Sequence, residues 1–197
     1  MTAVTTRERL LDVAEERFAR TGIAAVTTRE IVEAAQQRNT SAVSYHFGSR
    51  DGLLSAILAR RGAPIDAERG VLRSDLDQAT PRGLIRCLVV PYAAALNDAG
   101  GRSYLRIVAQ LRGRFAAWRI ESDVATTAQL ARIMDEIEDS IDAPPAFRRE
   151  RMVSMIMLMT SSTAERARLL DADETPELSH EEYLDCLIDM CTAVASA

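Results

Sequence analysis

An all-α chain is predicted from three observations. No stretch sustains the period-two alternation of a half-buried strand, and apolar residues instead recur at spacings of three and four. Helix-start signals also stand ahead of several of those runs. The expected architecture is an N-terminal three-helix head of helix-turn-helix type followed by a helical bundle, about nine helices in all, with the head at residues 1–48 and the body at 49–197.

Thr5-x-x-Glu8 reads as a capping box that opens a first helix with Leu10, Leu11, Ala14 and Phe18 inward, stopped by Gly22. Thr27-x-x-Glu30, with Val26 stapled to Ile31, opens a second that runs to about Ala35. The polar run from Gln36 to Thr40 breaks it, and a very short helix fits from about Asn39 to Tyr45, before Gly48. Ser49 caps a longer fourth helix whose core side is Leu53, Leu54, Ile57 and Leu58, and Pro64 is expected to kink or interrupt it. Thr80-Pro81 starts the next, through Leu84, Leu88 and Tyr92, bent at Pro91, and Gly100-Gly101 is read as a break. A helix with Leu105, Val108, Leu111, Phe115 and Trp118 follows, then one with Leu130, Ile133, Met134, Ile137 and Ile141 that closes at Pro144-Pro145. Residues 147–170 form a long apolar-striped helix, and Ser179-x-x-Glu182 starts the last, with Leu184, Leu187, Ile188, Cys191 and Val194 on one stripe.

Composition narrows the function classes. The longest apolar run, Cys87 to Leu96, is about half of a membrane span and contains a proline. The N-terminus lacks the pattern of a secretory signal, so a cytoplasmic protein is expected. Three cysteines, Cys87, Cys186 and Cys191, without CxxC spacing indicate neither a disulfide framework nor a zinc site, and they read as small buried apolar residues. The net charge of -5 argues against indiscriminate nucleic-acid binding, yet residues 1–50 carry net +1 and the remainder -6. Residues 171–189 hold eight acids and no arginine, a solvated face kept away from any polyanion.

A helix of about two turns between two better-capped helices is too short to persist alone, and insertion into a DNA major groove is a reason for a head to hold it. The short helix and its approach offer Arg38, Asn39, Thr40, Ser41, Ser44 and Tyr45 for base edges and phosphates. The start of the second helix, with Thr27, Thr28 and Arg29, faces a phosphate, His46 is a further phosphate contact, and Arg50 clamps another. One such helix reads few bases, so two copies about one DNA turn apart are expected.

At these residues the sequence resembles the TetR family of transcriptional regulators. The likeness runs from Arg9-Leu10-Leu11-Asp12-Val13-Ala14 through Gly22-Ile23-Ala24-Ala25-Val26-Thr27-Thr28-Arg29-Glu30-Ile31 to Tyr45-His46-Phe47-Gly48-Ser49-Arg50 and Leu53-Leu54. The turn Ala35-Gln36-Gln37-Arg38 departs from the family pattern, and Ser44 stands where a Tyr is usual. The altered turn points to a distinct operator preference. The resemblance implies a homodimer on double-stranded operator DNA and a repressor released by a small-molecule ligand; no cofactor is expected. It places the ligand in an apolar pocket, for which Leu88, Tyr92, Leu105, Val108, Leu111, Phe115, Trp118, Met155 and Met159 are candidates. It places the dimer interface on the last two helices, with Met152, Ile156, Thr163, Ala167, Leu184, Leu187, Ile188 and Cys191 as candidates.

Two other classes compete. Glu177-Leu178-Ser179-His180 has the Glu-x-x-His spacing of di-iron bundles, but such a site needs a second pair, and the other histidine, His46, sits in the head. No catalytic residue or metal site is therefore expected. A helical adaptor without operator binding is the second alternative.

Overall fold

The computed structural model describes residues 5–39, 41–111 and 124–197, with side chains from residue 127 in the last segment. Nine α-helices are present among them: α1 (Thr6–Thr21), α2 (Thr28–Ala34), α3 (Ala42–Phe47), α4 (Arg50–Ser74), α5 (Pro81–Ala94), α6 (Ala99–Leu111), α7 (Val124–Ser140), α8 (Pro145–Asp171) and α9 (His180–Ser196). A short 3-10 turn, Ala95–Asn97, links α5 to α6. The three capping boxes form as reciprocal hydrogen bonds at Thr5/Glu8, Thr27/Glu30 and Ser179/Glu182. Each satisfies backbone donors that a helix start would otherwise leave open. No helix among the described residues is long and apolar enough to cross a membrane.

Two apolar cores result. The head core gathers Leu10, Leu11, Ala14 and Phe18 of α1, Ile31 and Val32 of α2, Ala42 and Val43 of α3, and Leu53 and Ile57 of α4. The body core takes Ile65 of α4 and the inward stripes of α5 to α9. α4 thus has its first half in one core and its second half near the other. α6 is also shared: Tyr104 and Leu105 lie in the body core, while Ile107 is fully buried in the head core.

Two expectations change. α4 runs unbroken through Pro64, which is exposed. The flanking turns are held from outside: Glu15 of α1 binds Arg60 and Arg61 on one side, and Ile65 and Asp66 are buried on the other. With its neighbours anchored and its face toward water, the helix tolerates the missing N–H. The break expected at Gly100-Gly101 falls earlier, at Asp98, whose carboxylate accepts from the Gly101 N–H at 2.8 Å and so caps α6.

Polar ties join head and body. Glu15, almost wholly buried, accepts from Arg61 Nε and Nη2 at 2.9 and 3.0 Å and from Arg60 Nη2 at 2.6 Å. Gln110 at the end of α6 accepts from the Ile23 N–H at 2.7 Å and donates to the Phe18 carbonyl at 2.9 Å, closing the C-terminal end of α1.

Candidate nucleic-acid interface

The surface in question is built from α2, the turn after it, α3 and the first turn of α4. α2 ends in a paired hydrogen-bond motif: the Gln37 N–H donates to the Val32 carbonyl and the Gln36 N–H to the Glu33 carbonyl, both at 3.0 Å. This closure needs a left-handed residue, and Gln36 supplies it with φ 56°. Glycine is the residue that adopts such a backbone without a Cβ penalty. Gln36→Gly is therefore expected to raise the unfolding free energy by about 0.5–1 kcal/mol, readable as a small upward shift in thermal midpoint.

Asn39 continues the chain reversal by accepting from the Ser41 N–H at 2.9 Å. α3 follows for six residues and buries only Ala42 and Val43. Its outward side carries Ser44 and Tyr45, the latter 82 % exposed, while His46 is half-buried and stacks edge-on against Tyr45 at 4.9 Å. Tyr45 is the most exposed large apolar side chain among the described residues, and it stands on the shortest α-helix among them. α3 stops at Gly48, and Gly52 in α4 brings the two helices into contact: a Cβ there would lie 2.1 Å from the Phe47 carbonyl oxygen. Only glycine permits that approach.

The expected DNA-contact residues divide into three groups. Arg38, Asn39, Ser41, Ser44 and Tyr45 are exposed along one continuous stretch, and Arg38 carries no ion pair among the described residues. Thr40 lies outside the described residues. Thr27, Thr28 and Arg29 lie at the start of α2, but with prior commitments. The Thr27 hydroxyl and N–H are engaged with Glu30, and Arg29 Nε pairs with Glu33 at 2.7 Å. These bonds hold the Glu30 carboxyl below the usual carboxylate range through the Thr27 backbone and hydroxyl. Arg50 is the third group and the correction. Its Nε and Nη2 donate to the Val26 carbonyl at 3.2 and 3.1 Å, Nη2 also reaches the Ile23 carbonyl, and the guanidinium lies over the Phe18 ring. Instead of standing outward as a phosphate clamp, it ties the α1–α2 loop to α4 through two backbone carbonyls that need donors, with Nη1 making no hydrogen bond among the described residues.

The structure also brings Arg7 to this surface, its guanidinium 5.1 Å from the Phe47 ring centre. It escaped the sequence reading because its neighbour is forty residues away and no local pattern links them.

In the body, Leu88, Tyr92, Leu105, Met155 and Met159 belong to one packed core cluster, with Val108 against it. Leu111 packs instead on the head core, and Phe115 and Trp118 lie outside the described residues. The expected dimer stripe needs revision. Met152, Ile156, Thr163, Ala167, Leu187, Ile188 and Cys191 are buried within the protomer's own core, and Leu184 packs against it. Periodicity identified the apolar face of α8 and α9, and the protomer consumes that face itself. The residues left outward on these helices include Met157 and Met190. Cys87 and Cys191 are buried, with burial pushing the Cys191 thiol up to about 12, while Cys186 is exposed, contrary to the reading of it as a buried apolar residue. Glu177 and His180 are both exposed, and among the described residues no group of three or more His, Cys, Asp or Glu is placed to hold a metal.

Residues 10–57 match the family described as bacterial regulatory proteins, tetR family. Solved structures share the fold over nearly the whole chain. AmtR from Mycobacterium smegmatis is 20% identical with a TM-score of 0.59, covering 100% of this chain and 89% of its own. A TetR-family transcriptional regulator from Rhodococcus sp., so described in its name as a presumed one, is 21% identical with a TM-score of 0.55, covering 97% and 98%. A bacterial regulatory protein in the tetR family from Rhodococcus RHA1 is 16% identical with a TM-score of 0.59, covering 99% of both chains. A search of curated protein sequences finds no match.

Proposed function

We propose that this chain, whose residues 10–57 match the tetR family of bacterial regulatory proteins and whose fold is shared with solved structures of that kind, is a transcriptional regulator that binds a near-palindromic operator as a homodimer, represses from it, and is released by a small molecule held in the body. The observation that carries the reading is α3: six residues, two of them buried, with Tyr45 bare beside Ser44 and a run of polar side chains leading in from Arg38. Base edges are the partner that suits such a face, and Thr28 and His46 border it for phosphates. Arg50 acts through the loop it braces. Met157 and Met190, exposed on neighbouring long helices, support pairing of two protomers through the outer sides of α8 and α9. α4 and α6 pack into both cores, so a ligand that repacks the body changes the spacing of the two heads. A differential affinity of a few kcal/mol is enough to move most of the population.

The test is selection from a random duplex pool with wild type and Tyr45→Ala in parallel. Wild type is expected to enrich a near-palindrome, and Tyr45→Ala to bind it about tenfold more weakly with an unchanged thermal midpoint, since the side chain is in water. Failure of the folded dimer to enrich any sequence defeats the reading and favours an adaptor.

A further inference from the structure

α4 carries a second buried cation that has no counterpart to the Glu15 cluster. Arg69 is 5% exposed, and its buried Nε makes no hydrogen bond among the described residues. Its nearest carboxylate oxygen is Asp66 Oδ1, 3.9 Å from Nη1. Asp66 is itself already accounted for: Oδ2 accepts from the Gln129 N–H at 3.0 Å and Oδ1 from the Leu130 N–H at 2.7 Å, so it holds α7 to α4. A guanidinium removed from water without hydrogen bonds is among the costliest arrangements a core can contain. The other buried arginine, Arg166, likewise leaves its Nε without a hydrogen bond but places the rest of its guanidinium against partners. It donates to the Leu178 carbonyl at 2.8 Å and lies 4.3 Å from the centre of the Tyr183 ring.

A second unmet polar atom lies in the same region. The Tyr92 hydroxyl of α5 is buried and without a hydrogen-bond partner. Thr163 of α8 is close by, but its hydroxyl proton goes to the Met159 carbonyl at 2.9 Å. Tyr104 of α6 is edge-on to Tyr92, with ring centres 6.2 Å apart. Burial pushes both phenols upward, so each remains a neutral donor, and desolvation depresses Arg69. Three helices thus present a buried cation whose carboxylate partner stands 3.9 Å away and a buried hydroxyl donor inside an apolar cluster that includes Leu88 and Met155.

We propose that Arg69 and Tyr92 form the polar end of a binding site for an organic monocarboxylate with an apolar tail. The carboxylate takes paired N–H donors from the Arg69 guanidinium and the Tyr92 O–H, and the tail takes the place of side-chain contacts in the surrounding core. The charge of Asp66 does not forbid this, because its two oxygens are engaged by α7 amides and the Nε edge of Arg69 is free of it. The inference rests on the reading of the body as ligand-binding, and it names the chemistry of that ligand.

The experiment uses the purified full chain, with benzoate and hexanoate as probes and benzamide and hexanamide as neutral controls. Thermal midpoint and titration calorimetry are read at constant ionic strength. The carboxylates are expected to bind saturably and raise the midpoint by several degrees, with the amides at least tenfold weaker. Tyr92→Phe should weaken carboxylate binding severalfold. Arg69→Met should abolish it while raising the midpoint of the unliganded protein, because a buried guanidinium held only by a 3.9 Å ion pair has been replaced by an apolar chain of similar length while Asp66 keeps its two α7 amide donors. Equal binding of acid and amide overturns the proposal, as does absence of binding by either acid. Nitrate reproducing the full shift would show a site for inorganic anions and overturn the organic acid. A less stable Arg69→Met protein that still binds carboxylate would make Arg69 structural. Operator affinity measured alongside separates the two readings: an operator released by a neutral compound leaves the regulator intact and removes the acid.

Discussion

Glu15→Ala is expected to lower the unfolding free energy by about 3 kcal/mol, measured by urea denaturation with an unchanged slope. The carboxylate is the shared partner of Arg60 and Arg61, and its removal leaves Arg60 with Asp12 at 2.7 Å and Arg61 with Asp98 at 3.6 Å as their acidic partners, on side chains that are each only 29% exposed. Removing one member of such a cluster costs far more than the cluster contributes, because the remaining charges cannot regain full hydration. The partial exposure of the arginines and the carboxylates that remain beside them, Asp12 and Asp98, set the value toward the lower end of the range for buried pairs. Removal of Glu16 is the control. Its pair with Arg20 lies in water, with side chains 62% and 72% exposed, and its loss should change stability by less than about 0.5 kcal/mol. Equal effects of the two substitutions would show that Glu15 is not a fastening point.

Gly52→Ala is expected to reduce operator affinity by at least tenfold and stability by roughly 1–3 kcal/mol. The added carbon meets the Phe47 carbonyl at 2.1 Å, and backbone cannot rotate away as a side-chain tip can. α3 must therefore move relative to α4, and with it the whole exposed face around Tyr45. At Gly48 an added Cβ meets nothing within 4 Å, so Gly48→Ala bears only the strain of φ 74°, about 1 kcal/mol. A Gly52→Ala protein that binds duplex as wild type does would remove the argument that α3 is set by that contact.

Both effects were hidden from a linear reading, and the reason is distance along the chain. Thr5 with Glu8, Thr27 with Glu30, and Ser179 with Glu182 were legible because capping is settled within four residues. The helical faces were legible because periodicity is local. What each face packs against is not local. Met152, Ile156 and Leu187 form an apolar stripe whether their partner is another protomer or the neighbouring helix, and the structure gives them to the protomer's own core. Arg50 looked like a surface cation because the carbonyls it braces, Ile23 and Val26, become neighbours only after α1 and α2 fold back. Pro64 was given the meaning it has in an isolated helix, and tertiary anchors on both sides overrode it. The α3 surface fared better, since Asn39, Ser41, Ser44 and Tyr45 are all exposed where a polar turn and short helix implied exposure.

Ile107 sits among the head's apolar residues although it arrives from α6. Engineering by exchange would join the head of one chain of this architecture to the body of another. A cut within α4 would leave the transplanted head with an open socket where Ile107 stood, and would give the recipient's α6 a plug of the wrong shape. A working hybrid of this chain must carry the residue facing that socket, with Gln110 one turn beyond it, so the true unit of exchange is discontinuous in sequence.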